Sequence, residues 1–378
     1  MKIVYCTPSI YIAGGVERVL TSKVNYLVSR GHDVTIVLTD GEGRQPFYPL
    51  ADGVKVVNLN IGFEELWSLS FFKKIPVYLR KQWQYKKMLT QTLMELRPDI
   101  TVTTLRREVN FITGIHDGSK KVGELHVNRQ NYRNFESGDT NFIKRLFSKW
   151  WMHRLVKKLK RLDKFVVLTR EDKESWKELD NVCVIPNPLA QMPSERSPLS
   201  EKRIVAVGRY VYQKGFDLLL QSWSRVEKEL PDWHLSVFGA GDRRPYLQLA
   251  DELKLGSSRC ELCGAVDNIS EQYINSSMFV FSSRFEGFGM VLLEAMSYGL
   301  PVISFDCPCG PKDIVNNGVD GILVESGNTE ELARQIVLLA KDEERRGSMA
   351  EEAIKTAWHY DINTIGRQWE ELFAQTVS

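Results

Sequence analysis

Short runs of β-branched and other apolar residues alternate along this chain with longer stretches in which apolar residues recur every three or four positions. The first cycle is a run at Lys2–Thr7, a turn at Gly14 and Gly15, a helical pattern over 16–30, and a second run at 34–39 after Gly31. Runs without polar alternation suit strands buried on both faces, and interleaved amphipathic helices predict a parallel sheet covered on each side. Runs at 54–59, 100–104, 122–127 and 165–169 continue the series. The first half is therefore expected to be a doubly wound α/β domain.

The alternation breaks at Ile185-Pro186-Asn187-Pro188 and the polar stretch 191–202, which has the composition of a linker. A second series then begins, with strand patterns at 204–207, 235–238, 279–282, 302–305 and 322–324 and helical patterns at 216–230, 245–255, 290–298 and 330–341. Two successive Rossmann-like units are predicted, with ligands at the carboxyl ends of their strands. A last helical pattern, 364–374, either completes the second unit or crosses back to the first.

A chain of 378 residues exceeds what one core usually supports, which agrees with two domains. Fifty Lys and Arg against 48 Asp and Glu give no global nucleic-acid signature, so any basic patch has to be local. The opening run is too short for a signal-peptide core, and no apolar run is long enough to cross a bilayer, so a cytoplasmic protein with reduced thiols is expected. The pairs Cys260/Cys263 and Cys307/Cys309 raise a thiolate zinc site, but the second spacing is unusual for one and buried thiols are the preferred reading.

The most informative segment is 283–296, Ser-Arg-Phe-Glu-Gly-Phe-Gly-Met-Val-Leu-Leu-Glu-Ala-Met. It follows a strand, turns through glycines and opens a helix whose free amides form an anion site. Glu286 lies in the turn and Glu294 about one turn into the helix, where carboxylates can accept hydrogen bonds from sugar hydroxyls. Arg209 and Lys214 follow the first strand of the second unit, placed to neutralise a diphosphate leaving group. Gly239-Ala240-Gly241-Asp242 and Cys263-Gly264-Ala265-Val266 follow the next two strands.

The spacing Glu-Gly-Phe-Gly-x4-Glu-Ala-Met at Glu286 to Met296 resembles the donor signature of retaining glycosyltransferase family 4. The resemblance covers nearly the whole chain and implies the GT-B fold: two facing Rossmann-like domains with an interdomain active-site cleft. Residues 1–188, joined by a crossing helix at 362–378, would form the acceptor-side domain, and 189–361 the nucleotide-sugar donor domain. By position, Glu286 would contact the transferred sugar, Glu294 the ribose, the Phe288 and Gly289 amides the donor's polar groups, and Val266 the base. Arg209 and Lys214 would stabilise the departing diphosphate, Gly15 would close over the donor, and His126 would line the reaction centre. No cofactor beyond the UDP-sugar donor substrate is implied, and no metal, since an Asp-x-Asp pair suited to a divalent ion is not found.

On the acceptor side, 142–164 carries nine Lys or Arg against one Asp, with Ile143, Leu146, Phe147, Trp150, Leu155, Leu159 and Leu162 at helical spacing. Such a helix can lie on an anionic membrane or pack on its own sheet, and the pattern leaves both open. Trp67, Phe71, Phe72, Lys73 and Lys74 form a second aromatic and basic cluster. The expected activity is transfer of a hexosyl or N-acetylhexosaminyl unit to a glycan, lipid-linked, in cell-surface polysaccharide synthesis at the inner face of the plasma membrane, without nucleic acid. A nucleotide-sugar epimerase and a non-catalytic sugar-nucleotide binder are the alternatives.

Overall fold

The computed structural model describes residues 1–41, 43–132 and 142–378. The chain folds as two units, Met1–Ala190 with Ile362–Ser378, and Gln191–Asp361.

The first unit runs β1 (Lys2–Thr7), α1 (Gly15–Ser29), β2 (Asp33–Leu38), β3 (Lys55–Asn58), α2 (Phe71–Leu96), β4 (Ile100–Thr103), β5 (Lys120–Glu124), α3 (Phe142–Leu159), β6 (Lys164–Val167), α4 (Arg170–Ser175) and β7 (Val182–Val184). Its seven strands are ordered β3-β2-β1-β4-β5-β6-β7, and every pairing is parallel. The order reverses between β1 and β4, so the turns after these strands diverge and leave a crevice at the carboxyl edge.

The second unit runs β8 (Arg203–Val207), α5 (Phe216–Glu229), β9 (His234–Phe238), α6 (Arg244–Glu252), β10 (Cys260–Cys263), α7 (Ile269–Ile274), β11 (Met278–Phe281), α8 (Met290–Ser297), β12 (Val302–Asp306), α9 (Pro311–Ile314), β13 (Gly321–Glu325), α10 (Thr329–Lys341) and α11 (Glu343–Trp358). Its six-stranded order, β10-β9-β8-β11-β12-β13, is again wholly parallel, with the switch between β8 and β11. The last helix, α12 (Ile362–Val377), belongs to the first unit and packs on α1. A Cβ on Gly366 would lie 2.3 Å from the Tyr26 ring, so the absent side chain sets how closely these two helices approach.

Two helices depart from the sequence reading. The pattern did not disclose α2, because Ile75, Leu79 and Trp83 face outward while Lys81 faces inward, donating to the Ile61 carbonyl at 2.6 Å. In α3 the apolar positions divide: Leu155 and Leu159, with Leu162 just beyond, join the core around Phe165 and Trp176, whereas Leu146 and Trp150 are exposed. The Ile143 and Phe147 side chains lie outside the described residues. The helix therefore packs on its own sheet through its second half.

Beneath α12 lies a buried ion pair. Lys23 of α1 donates to Glu124 at the end of β5, both side chains nearly without solvent exposure, and its ammonium sits 4.4 Å from the Trp369 ring centroid. Burial lowers the Lys23 proton affinity and Glu124 opposes that. Burial alone would raise the Glu124 pKa, but Lys23 and His126 together bring it down to about 2. Glu124 is the better held of the two because it faces both groups.

Removing one partner should leave an uncompensated buried charge, so Lys23→Met is expected to cost about 3–5 kcal/mol in urea unfolding, and Lys23→Met/Glu124→Leu to recover most of it. The stabilisation from the Glu124 carboxylate is present above its ordinary pKa of 4.5 and is lost as pH falls toward about 2. Acid titration of the wild type against the double variant checks that window.

Candidate functional site

The carboxyl edge of the second sheet is knitted together by its own backbone. Gly208 N–H donates to the Phe238 carbonyl at 2.9 Å, Tyr210 N–H to Ala240 at 2.8 Å and Gly239 N–H to Gly264 at 3.2 Å. The Tyr210 hydroxyl lies 2.9 Å from the carbonyls of both Val237 and Cys263 and shares its one hydrogen between them. The turns after β8, β9 and β10 thereby form one continuous floor. This requires close backbone approach: a Cβ on Gly239 would lie 1.7 Å from the Gly208 carbonyl oxygen.

On the other side of the switch point, the turn 283–289 links β11 to α8. Glu286 N–H donates to the Pro308 carbonyl at 2.8 Å and the Cys309 N–H returns to the Glu286 carbonyl at 3.3 Å, so the loop after β12 fixes the turn. Arg284 braces it from beneath, with bonds of 2.8 and 2.6 Å to Asp217 and its guanidinium 4.1 Å from the Tyr212 ring centroid. The backbone N–H groups of Gly289, Met290 and Val291 have no acceptor among the described residues and crown the start of α8.

The two motifs meet here. Lys214 Nζ donates to Glu286 Oε1 at 2.6 Å, with side chains 14% and 8% exposed, and Gln213 Nε2 reaches the Phe285 carbonyl at 3.0 Å and Glu286 Oε2 at 3.3 Å. The ammonium also lies 5.4 Å from the Phe281 ring centroid. Arg209, by contrast, is exposed, and its side chain makes no hydrogen bond or ion pair among the described residues. Glu294 accepts a 3.4 Å bond from the Tyr273 hydroxyl. The Phe288 side chain is buried beside Tyr360, and Val266 after β10 is 40% exposed.

Cys260 opens and Cys263 closes β10, whereas Cys307 and Cys309 follow β12; four strand spacings of roughly 4.8 Å separate the pairs, too far for one metal to bridge. Burial, with the nearby Glu286 charge, pushes the Cys307 thiol up and out of the reactive range.

In the first unit, Gly15 opens α1 with nothing within 4 Å of where its Cβ would be. The His126 side chain is 5% exposed, and its Nε2 lies 3.3 Å from Glu124 Oε1. Neither residue belongs to the same unit as the other candidates. The carboxyl edge of this sheet carries a cavity of about 900 Å3 that the sequence reading did not disclose, walled by residues such as Ser9, Asp40, Arg44, Glu64, Trp67 and Arg107. Arg44 pairs with Glu64 at 2.6 Å, and Arg107 lies 3.8 Å from Asp40 with its guanidinium over the Phe63 ring. No spacing signals these residues, because they come from four strand-end connections: Ser9 after β1, Asp40 and Arg44 after β2, Glu64 and Trp67 after β3, and Arg107 after β4.

Residues 13–190 match Glycosyltransferase Family 4 and residues 190–356 match Glycosyl transferases group 1. The amylovoran biosynthesis glycosyltransferase AmsD of Erwinia amylovora is 33% identical, over 98% of this chain and 99% of its own. A Campylobacter jejuni α-1,4-N-acetyl-D-galactosaminyltransferase, whose name gives a PP-undecaprenol-linked GalNAc glycan as its substrate, is 24% identical over 96% of each chain. Anabaena HepE, solved in complex with UDP-glucose, superimposes with a TM-score of 0.73 at 18% identity, covering 99% of this chain and all of that one.

The two glycines near the floor should differ sharply. Gly239→Ala forces a Cβ into backbone and is expected to destabilise by about 2–4 kcal/mol. Gly264→Ala meets nothing within 4 Å and should stay within about 0.5 kcal/mol of wild type in the same urea titration.

Proposed function

The chain belongs to the family 4 and group 1 glycosyltransferases, and on that basis we propose that it moves a hexosyl or N-acetylhexosaminyl unit from a UDP-sugar to a lipid-linked glycan, with retention, during cell-surface polysaccharide synthesis. The observation that carries this reading is the Lys214–Glu286 contact, which joins a cation for the leaving group to a carboxylate for the sugar beside the unpaired amides that open α8. The UDP-glucose bound by Anabaena HepE and the undecaprenol-linked glycan in the name of the Campylobacter relative support the classes of donor and acceptor.

The second unit is the donor domain in this reading. A diphosphate sits against the α8 amides, where the helix dipole favours negative charge. Glu286 holds the Lys214 ammonium in place before the donor arrives, so little reorganisation is needed as charge builds on the departing phosphate. Arg209, its exposed side chain unengaged, swings onto the same oxygens. Glu286 turns Oε2 to a sugar hydroxyl, Glu294 takes the ribose, the Phe288 and Gly289 amides face the donor, and Val266 approaches the base. The leaving phosphate removes the acceptor proton on the face it vacates, which asks for no protein nucleophile, and no metal is required.

The first unit is the acceptor domain. Its cavity pairs guanidinium and carboxylate groups with the exposed Trp67 ring, a combination suited to hydroxyls on one side of a sugar and its apolar C–H face on the other. In this reading His126 is the first-unit residue assigned to the reaction centre and Gly15 the one assigned to the donor phosphates.

Thermal unfolding with a panel of nucleotide sugars tests the donor class: a UDP-sugar is expected to raise Tm by mass action, and GDP-, ADP- or CMP-sugars to leave it unmoved. Stabilisation by a different nucleotide would reassign the donor. Lys214→Ala and Arg209→Ala should each lower turnover by about two to three orders of magnitude. Arg209→Ala, at an exposed side chain, should leave unfolding unchanged, whereas Lys214→Ala strips the ammonium from the nearly buried Glu286 and should also lower stability. In calorimetry, Glu294→Ala should weaken UDP itself, whereas Glu286→Ala should leave UDP affinity near wild type and impair transfer. The opposite order would exchange their roles.

A further inference from the structure

The inner and outer faces of α2 obey different rules. Its inner face buries Tyr85, Leu89 and Leu93 against Val4, Cys6 and Phe63. On its outer face Ile75, Leu79 and Trp83 are 50%, 61% and 67% exposed. Their spacing of four residues sets them in one line about 12 Å long. Isolated exposed apolar residues are ordinary, but three large ones aligned on a single helix form a patch that water disfavours.

The charge around this line has one sign. Lys73, Lys74, Arg80, Lys86 and Lys87 are exposed on the same helix, and between Glu65 and Glu95 the sequence holds no acidic residue. Lys87 Nζ lies 5.7 Å from the Trp83 ring centroid. Trp67, 77% exposed, stands just before the helix and also walls the first-unit cavity.

A second helix adds to the same side. The connections β3 to β4 and β5 to β6 both step toward the β7 edge, opposite to the step from β1 to β2, so the shared handedness of parallel crossovers puts α2 and α3 on one face of the sheet. Both helices hold the same intervening segment: Gln82 donates to the Arg107 carbonyl at 2.7 Å and Lys158 to Asn110 Oδ1 at 2.7 Å. The exposed apolar residues of α3, Leu146 and Trp150, lie beside Lys149 and Arg154.

We propose that this face, centred on Ile75, Leu79 and Trp83 of α2, docks the protein on an anionic lipid bilayer. A protein partner would call for an apolar centre depleted in lysine, and a nucleic acid would gain nothing from Ile75 and Leu79. Aliphatic and indole side chains ringed by lysines that reach for headgroups match the bilayer interface. Because Trp67, exposed just before the helix that carries this line, also walls the cavity, an acceptor carried by a lipid would enter the first unit close to the surface that holds the protein. That purpose rests on the lipid-linked acceptor proposed above; the docking itself does not. It also moves the membrane contact from the basic helix 142–164 to α2, with α3 contributing Leu146 and Trp150.

Sedimentation with phosphatidylglycerol–phosphatidylcholine vesicles, without nucleotide sugar, tests it. The wild type should bind these vesicles well above pure phosphatidylcholine, and added salt should weaken the binding. Leu79→Ser/Trp83→Ser should lose about tenfold in affinity, and Lys73→Gln/Lys74→Gln/Lys86→Gln/Lys87→Gln should lose the anionic preference. Both changes are at exposed positions outside the cavity, so unchanged unfolding and unchanged turnover on a soluble acceptor analogue are expected. Absence of vesicle binding by the wild type overturns the proposal. So does wild-type binding by both variants, and so does loss of binding on replacing Lys157, Lys158, Lys160 and Arg161 while the α2 variants still bind. A failed transferase assay would leave these outcomes unaffected.

Discussion

Wholly parallel strand pairing is the constraint on which the rest of each unit depends. A parallel sheet has to return every chain segment across a face, so helices cover both sides and all carboxyl ends emerge along one edge. Backbone groups in the turns along that edge are released from the ladder, and the site is assembled from them. In the second unit some of these groups bond to one another, from Gly208 to Gly264, making a rigid floor. Others, the amides that open α8, have no partner among the described residues. Rigidity and unsatisfied donors on the same edge are what an anionic ligand requires, since the donors are fixed before it arrives.

Electrostatics divide along the same lines. The Lys23–Glu124 pair is sealed beneath α12, with His126 as the further neighbour of its carboxylate, whereas the Lys214–Glu286 pair retains some exposure and stands beside free amides. Both join a lysine to a glutamate. What distinguishes them is access: the first is closed to solvent, and the second is not. Arg209 is a third condition, an exposed charge with no side-chain partner among the described residues.

Legibility in the sequence followed the strength of local patterning. Most strands were visible because burial on both faces leaves an unbroken apolar run, as in Met278–Phe281. The turn and helix around Glu286 and Glu294 were readable because their residues are contiguous. The helix α2 was not, since its apolar positions point both ways; nor was α11, whose pattern is interrupted by charged residues and Gly347. In α3 helical spacing identified a helix but could not say which apolar residues it buries, because that depends on where the sheet lies. The first-unit cavity gathers Asp40 and Arg44 from the connection after β2, Glu64 from that after β3 and Arg107 from that after β4, and only the fold makes them neighbours.

The path of the backbone through the two units also imposes an order in time. The first unit is begun at Met1, yet α12, which covers α1 and places Trp369 over Lys23, comes from the last stretch of the sequence. During synthesis the second unit can be complete while the first still presents an open groove along α1, with a buried-type lysine briefly wet. A nascent chain is therefore most exposed to proteases and chaperones at the part made earliest. The final helix acts as the clasp that ends this interval.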